Sequence, residues 1–366
     1  MEWILVLACI ALAYTNGAND NFKAVATLFG SAQLSYRAAI GLATASQLVG
    51  SLFSLVIAGA LVKAFSGKGL VPPEMFSTAM LASVALGAAS TVALATRLGL
   101  PISTTHAIVG GLVGSGAVAA GSSLDLSALG SAFVLPLAVG PLLAVALAWG
   151  LARGGASLGS MLGINAGDCI CVTPGVSPRT DGTLAVEHSA VHVDVAPAAE
   201  CRVHGEGEGR SQGLEVSGAL RVGHLLSATA VGVARGLNDT PKILGLLVGA
   251  SVIAPLPGAV LLGSAMAVGG LVSAKRVART LSHRITPMQD GPSFAANLAT
   301  SLLVSSASRL GLPVSTTHVS TGGIFGIGAS AGTLDRRTTT EILGSWFATL
   351  PLGAALGAAF AWLLGA

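Results

Sequence analysis

Apolar runs of roughly twenty residues, separated by short polar breaks, recur along almost the whole chain. They predict ten hydrophobic segments, at approximately 3–30, 36–62, 76–97, 100–121, 128–153, 217–249, 252–274, 287–309, 312–330 and 341–365. Helices of that length match the ~30 Å hydrocarbon core of a bilayer. Five segments precede a long polar stretch and five follow it. An odd number per half turns the second half over relative to the first. That is an inverted-topology repeat, a recurrent plan of secondary transporters. The expected fold is an all-α polytopic membrane protein with an inverted-topology repeat, broken helices and two re-entrant helical hairpins. Its expected regions are an N-terminal membrane repeat (1–153), a cytoplasmic soluble insert (154–216) and a C-terminal inverted membrane repeat (217–366).

Composition supports the bilayer. Only 10% of the 366 residues are charged, against about 25% in soluble domains, and the mean hydropathy is +0.77. The 49 glycines suit close helix approach where no hydrophobic effect drives helices together. Aromatic residues make up 4%, too few for a large haem or flavin pocket, and no cofactor or nucleic-acid partner is expected. Thirteen Lys and Arg residues fall on the loops of one side, and three (Lys63, Lys68 and Arg309) on the other. The positive-inside rule then places both termini outside and the central insert in the cytoplasm of a plasma (inner) membrane.

Within the apolar segments one phrase occurs twice. Arg97–Gly116 reads RLGLPISTTHAIVGGLVGSG and Arg309–Gly328 reads RLGLPVSTTHVSTGGIFGIG, identical at thirteen of twenty positions. Pro101 and Pro313 suit a turn or the first position of a helix. The hydroxyl residues that follow, Ser103, Thr104 and Thr105 in one copy and Ser315, Thr316 and Thr317 in the other, can cap a helix start. Free N–H groups and the positive end of the dipole make such a start an anion site, and hydroxyls add donors for a tetrahedral oxyanion. A single copy reads equally well as an ordinary N-cap ahead of a small-residue packing face. Two copies in inverted positions favour the anion site.

A second phrase is also doubled. Asn16-Gly17-Ala18-Asn19-Asp20 matches Arg235-Gly236-Leu237-Asn238-Asp239, each inside an apolar segment. The pattern predicts a discontinuous helix whose exposed carboxylate and amide oxygens suit Na⁺, or whose carboxylates carry a proton. A mid-membrane aspartate points to function by default. The plainer alternative pairs Asp20 and Asp239 with Lys23, Arg235 or Lys242 for structure alone. Those bases also suit the balancing of a bound anion.

GANDNFKAVATLFGS, GLPISTTH, RGLNDTPK and GLPVSTTH resemble the signature motifs of the inorganic phosphate transporter (PiT) family, over nearly the whole chain except the insert. The resemblance implies an inverted-repeat carrier in the lipid bilayer, a homodimer, moving inorganic phosphate with Na⁺ or H⁺ by alternating access. It implies no enzyme activity. It assigns phosphate binding to Ser103, Thr104, Thr105, Ser315, Thr316 and Thr317. The coupling cation falls to Asn19, Asp20, Asn238 and Asp239. Animal members carry glutamates where this chain has Gln47 and Asn297. Both offer carbonyl oxygens to a cation, but neither titrates. The family also includes sulfate carriers, so sulfate stands as the alternative anion.

His106 and His318 follow the hydroxyl runs and are candidates for carrying a proton, or for a hydrogen-bonded structural role. The insert holds Cys169, Cys171, Cys201, His188, His192 and His204. Their spacing matches no zinc pattern. HSAVHVDV alternates weakly, as a small β-rich excursion would.

Overall fold

In the computed structural model, the described residues are all but 67–71, 73–74, 126, 128–129, 131–132, 134, 179–183 and 198–211. The first half contains helices α1 (Glu2–Asp20), α2 (Ala26–Gly30), α3 (Tyr36–Ile57), α4 (Gly59–Ala64), α5 (Thr78–Leu98), α6 (Thr104–Ala120) and α7 (Leu135–Met161). The second contains α8 (Val216–Gly249), α9 (Pro255–Ser273), α10 (Lys275–His283), α11 (Asp290–Arg309), α12 (Thr316–Ala331) and α13 (Arg336–Leu364). Each of the ten expected segments holds helix. Among the described residues six helices, α3, α5, α7, α8, α9 and α13, are long and apolar enough to cross a membrane.

The starts and stops follow local chemistry. Ser35 caps α3 by accepting from Ala38 N at 3.3 Å, and Ser77 caps α5 by accepting from Met80 N at 3.1 Å. Gly99, with φ +73°, ends α5 in the left-handed conformation that glycine adopts without strain. The basic helix α10 was not among the expected segments; it buries Val277, Ala278 and Leu281.

The expected helix breaks fall differently in the two halves. In the first, α1 runs to Asp20, and a 3₁₀ turn over Asn21–Ala24 precedes α2. In the second, the expected interruption at Arg235–Asp239 is absent, because α8 continues to Gly249 with Pro241 inside it. Proline removes one ladder hydrogen bond, but the helix carries on past it. The helical spacing holds Arg235, Asp239 and Lys242 in contact along α8, with ion pairs at i,i+4 and i,i+3.

Packing relates the halves. Where α1 lies on α9, α8 lies on α3; α1 on α5 is matched by α8 on α11, and α5 on α6 by α11 on α12. Helix α6 packs on α13 as α12 packs on α7. Two glycines permit the first of these pairings. A Cβ on Gly17 would stand 1.9 Å from Met266 O, and one on Gly236 would stand 2.2 Å from Gln47 O.

Apolar side chains face outward as well as inward. Val56, Phe347 and Leu142 are among the exposed large residues, while Asp20, Lys23, Arg235, Asp239 and Lys242 are buried. That distribution suits a protein solvated by lipid.

Between the halves the chain forms a three-stranded antiparallel sheet of order β2-β1-β3, from β1 (Asp168–Pro178), β2 (Leu184–Pro197) and β3 (Gln212–Glu215). The stretch HSAVHVDV lies in β2. Cys169 in β1 is free. Cys201 and His204 lie outside the described residues.

Candidate functional site

The two copies of Ser-Thr-Thr-His adopt one conformation. Ser103 (φ −90°, ψ 112°) accepts from His106 N at 3.1 Å; Ser315 (φ −91°, ψ 110°) accepts from His318 N at 3.1 Å. Each serine is therefore an N-cap whose hydroxyl proton is still available to donate. Each starts a helix whose first-turn N–H groups have no intrahelical acceptor.

The chain brings both carboxylates to these helix starts. Asp20 Oδ2 accepts from Asn16 Nδ2 at 3.0 Å and from Thr104 Oγ1 at 3.3 Å. Asp239 accepts from Thr316 Oγ1, 3.4 Å from both of its oxygens. Asn16 Nδ2 lies between the two acids, 3.5 Å from Asp239 Oδ2.

Two lysines tie the halves together crosswise. Lys242, three residues after Asp239, is 3.3 Å from its carboxylate. It donates to Val314 O of the second copy at 2.7 Å and to Thr105 Oγ1 of the first at 2.8 Å. Lys23 mirrors it. Lys23 pairs with Asp20, donates to Ile102 O of the first copy at 3.3 Å, and reaches Thr317 Oγ1 of the second. The threonines complete the exchange: Thr317 Oγ1 donates to Ile102 O at 2.6 Å, and Thr105 Oγ1 to Val314 O at 3.3 Å.

Arg235 adds a third buried base. It is 3.4 Å from Asp239 Oδ2 and donates to Asn21 Oδ1 and Asn16 Oδ1, both at 2.8 Å. Three basic groups against two carboxylates leave one formal positive charge in the buried cluster. A cavity of about 10 Å³, the room of a single water, lies against Lys23, Arg235 and Thr316. Buried charge of one sign without a full complement is costly.

The remaining predicted residues divide. Asn19 positions the loop before α6: it donates to Thr96 Oγ1 and Leu100 O, both at 3.0 Å, and accepts from Ile102 N at 3.1 Å. Asn238 donates to Ser308 Oγ at 2.8 Å, and its buried Oδ1 has no donor among the described residues. Gln47 donates to Ser51 Oγ at 2.7 Å, and its Oε1 is likewise buried without a donor. Asn297 instead joins a separate network with Thr27 Oγ1 at 3.0 Å, which leads to His224 at 2.9 Å and on to Asp290 at 3.1 Å. The rings of His106 and His318 lie 4.5 Å apart, and His318 stacks on Trp346 at 3.9 Å.

The family profile described as the phosphate transporter family matches residues 16–357. The chain belongs to that family. A protein of Thermococcus kodakarensis named a phosphate permease is 26% identical, over 97% of this chain and 96% of its own length. The chloroplast inorganic phosphate transporter 2-1 of Arabidopsis thaliana is 25% identical, over 99% of this chain and 72% of its own. A solved structure named the sodium-dependent phosphate transporter matches the fold with a TM-score of 0.77 at 22% identity, covering 100% of this chain and 98% of that one.

As a phosphate transporter family member the protein is a transporter and not an enzyme. The residues least legible in this transporter's sequence are Asn16 and Asn21, whereas the three bases already pair with Asp20 and Asp239 in the plainer reading. Lys23 and Lys242 did carry a signal, since each follows its aspartate by three residues. Asn16 and Arg235 occupy the same place in the doubled phrase, yet only folding shows them bonded to each other.

Proposed function

We propose that the protein imports inorganic phosphate together with a cation, Na⁺ or H⁺, by alternating access. The observation that carries this reading is the crosswise bracing of Lys23 and Lys242 between the two Ser-Thr-Thr helix starts, each lysine paired with its own aspartate. The oxyanion binds between the helix starts, on the hydroxyls of Ser103, Thr104, Thr105, Ser315, Thr316 and Thr317 and on the two lysines. The cation binds Asp20 and Asp239, with the donor-free oxygens Gln47 Oε1 and Asn238 Oδ1 as hard ligands of the type alkali and alkaline-earth cations take.

Coupling follows from charge exchange. A lysine and a cation compete for one carboxylate; a carboxylate and phosphate compete for one lysine. Cation binding to Asp20 or Asp239 releases the lysine for the anion, so each ion favours the other, as reciprocal linkage requires. The name of the structural relative, a sodium-dependent phosphate transporter, favours Na⁺.

The two halves (1–153 and 217–366) lie inverted in a plasma or inner membrane, with both termini outside and the insert (154–216) cytoplasmic, and the carrier works as a homodimer. The paired packing of the halves supports the inversion and the distribution of basic residues the orientation, while the homodimer rests on the family resemblance.

The test is uptake of labelled phosphate into proteoliposomes under separate Na⁺ and proton gradients, with sulfate as competitor. Concentrative phosphate uptake driven by one gradient is expected. Uptake of sulfate in place of phosphate, or uptake indifferent to both gradients, overturns the reading.

A further inference from the structure

A second cavity, of about 630 Å³, lies between α6, α7, α12 and α13, on residues the transport reading leaves unused. Its size falls within the ~300–1,000 Å³ of small-molecule sites. The walls are apolar, among them Phe133, Leu137, Phe325 and Leu350. At one end stand Leu142 and Phe347, 69% and 82% exposed, on two helices long and apolar enough to cross a membrane. That end opens on the apolar outer surface.

The buried end is different in kind. It contains Trp346 and the imidazoles of His106 and His318, the last only 4% exposed. His106 Nδ1 and His318 Nε2 are buried with no hydrogen-bond partner among the described residues. Buried polar atoms are rarely left so. Two imidazoles at the end of an apolar passage call for a ligand with a hydrogen-bonding head and a hydrocarbon body. Pro141 and Pro351, inside α7 and α13, also line the passage. Each removes a ladder hydrogen bond and frees a carbonyl one turn back.

We propose that this cavity binds a single-chain amphiphile of the fatty-acid class, entered from the bilayer with its carboxyl head at His106 and His318 and its chain toward Leu142 and Phe347. The inference does not depend on the identity of the transported ion.

Trp346 reports on it directly. It is 9% exposed and stacks on His318, whereas Trp3, Trp149 and Trp362 are exposed. Replacing those three with Phe leaves Trp346 as the only indole, for reconstitution into plain phosphatidylcholine vesicles. A fatty acid brominated beside its carboxyl group should quench Trp346 by at least half. One brominated at the far end should quench it clearly less. Ala138→Phe or Val109→Phe, each placed on the cavity wall, should remove the quenching. Should the triple variant misfold, native mass spectrometry of the unmodified protein provides the second measurement. Bound fatty acid should be retained there and lost on Ala138→Phe.

The proposal is overturned by any of four results: no quenching by either fatty acid, stronger quenching from the far end, quenching that survives both filling variants, or quenching only by brominated phospholipid. Failure of the unmodified protein to retain fatty acid overturns it equally.

Discussion

Lys242 Nζ lies 2.8 Å from Thr105 Oγ1, so a base from the second half of the chain is fastened to the Ser-Thr-Thr-His phrase of the first. Its partner Asp239 is buried, with Arg235 as its other base. Lys242→Met should destabilise the protein by about 3 kcal/mol, the low end of the ~3–5 kcal/mol for breaking a buried pair, because Arg235 remains. Adding Asp239→Leu to Lys242→Met should deepen that loss rather than recover it, because Arg235 then stays buried without its carboxylate. Thermal unfolding in detergent compares the two.

Asp20→Asn and Asp239→Asn should abolish uptake driven by a cation gradient while leaving insertion intact. Each change frees a lysine from its carboxylate, so phosphate binding itself should become independent of the cation. Equilibrium binding of labelled phosphate with and without Na⁺, set beside gradient-driven uptake, checks both halves of this expectation. Normal coupled uptake in either variant would remove that aspartate from the coupling site.

Ser315 caps its helix and, in the proposed site, also donates to the anion. Its oxygen accepts from His318 N at 3.1 Å, a cap worth about 1 kcal/mol. Its proton is available to an anion, a charged hydrogen bond worth about 1.5–3 kcal/mol. Ser315→Ala should therefore lower stability modestly and raise the phosphate KM about tenfold or more. Ser315→Thr keeps both functions and should stay near normal. Uptake kinetics over a phosphate titration distinguish them, and Ser103 should behave alike.

Gly236→Ala places a methyl group 2.2 Å from Gln47 O. The contact is backbone, so α8 must move away from α3. Overpacking of this kind costs about 1–3 kcal/mol, and it displaces Asp239 and Lys242 on the same helix. Gly155→Ala, with nothing within 4 Å of the new Cβ, should be silent. Unfolding temperature and uptake of the two variants make the comparison.

Much of this architecture is readable before folding. The segments at 76–97 and 287–309 became α5 and α11 because apolar length and terminal caps are local properties. The doubled Ser-Thr-Thr-His gave two helix starts alike within two degrees, since capping depends on a few adjacent residues. The doubled Asn-Asp phrase was less faithful. One copy ends a helix and the other lies within one, because the fate of a helix past an aspartate depends on what the neighbouring helices bury. Gln47 and Asn297 looked alike as neutral oxygen donors. Packing leaves Gln47 Oε1 without a donor and commits Asn297 to Thr27 and its link to His224.

The sequence alone determined that the protein is a membrane carrier with two related halves, each with one capped hydroxyl phrase and one carboxylate. Hydropathy, capping and repetition act over a turn or two of helix and need no partner. Only the tertiary structure decided that Lys23 and Lys242 cross between the halves, that Arg235 leaves the cluster with one positive charge, and that His106 and His318 share an apolar cavity. Those outcomes rest on contacts between residues more than a hundred positions apart, and long-range charge balance in a buried site is set by which helices pack together.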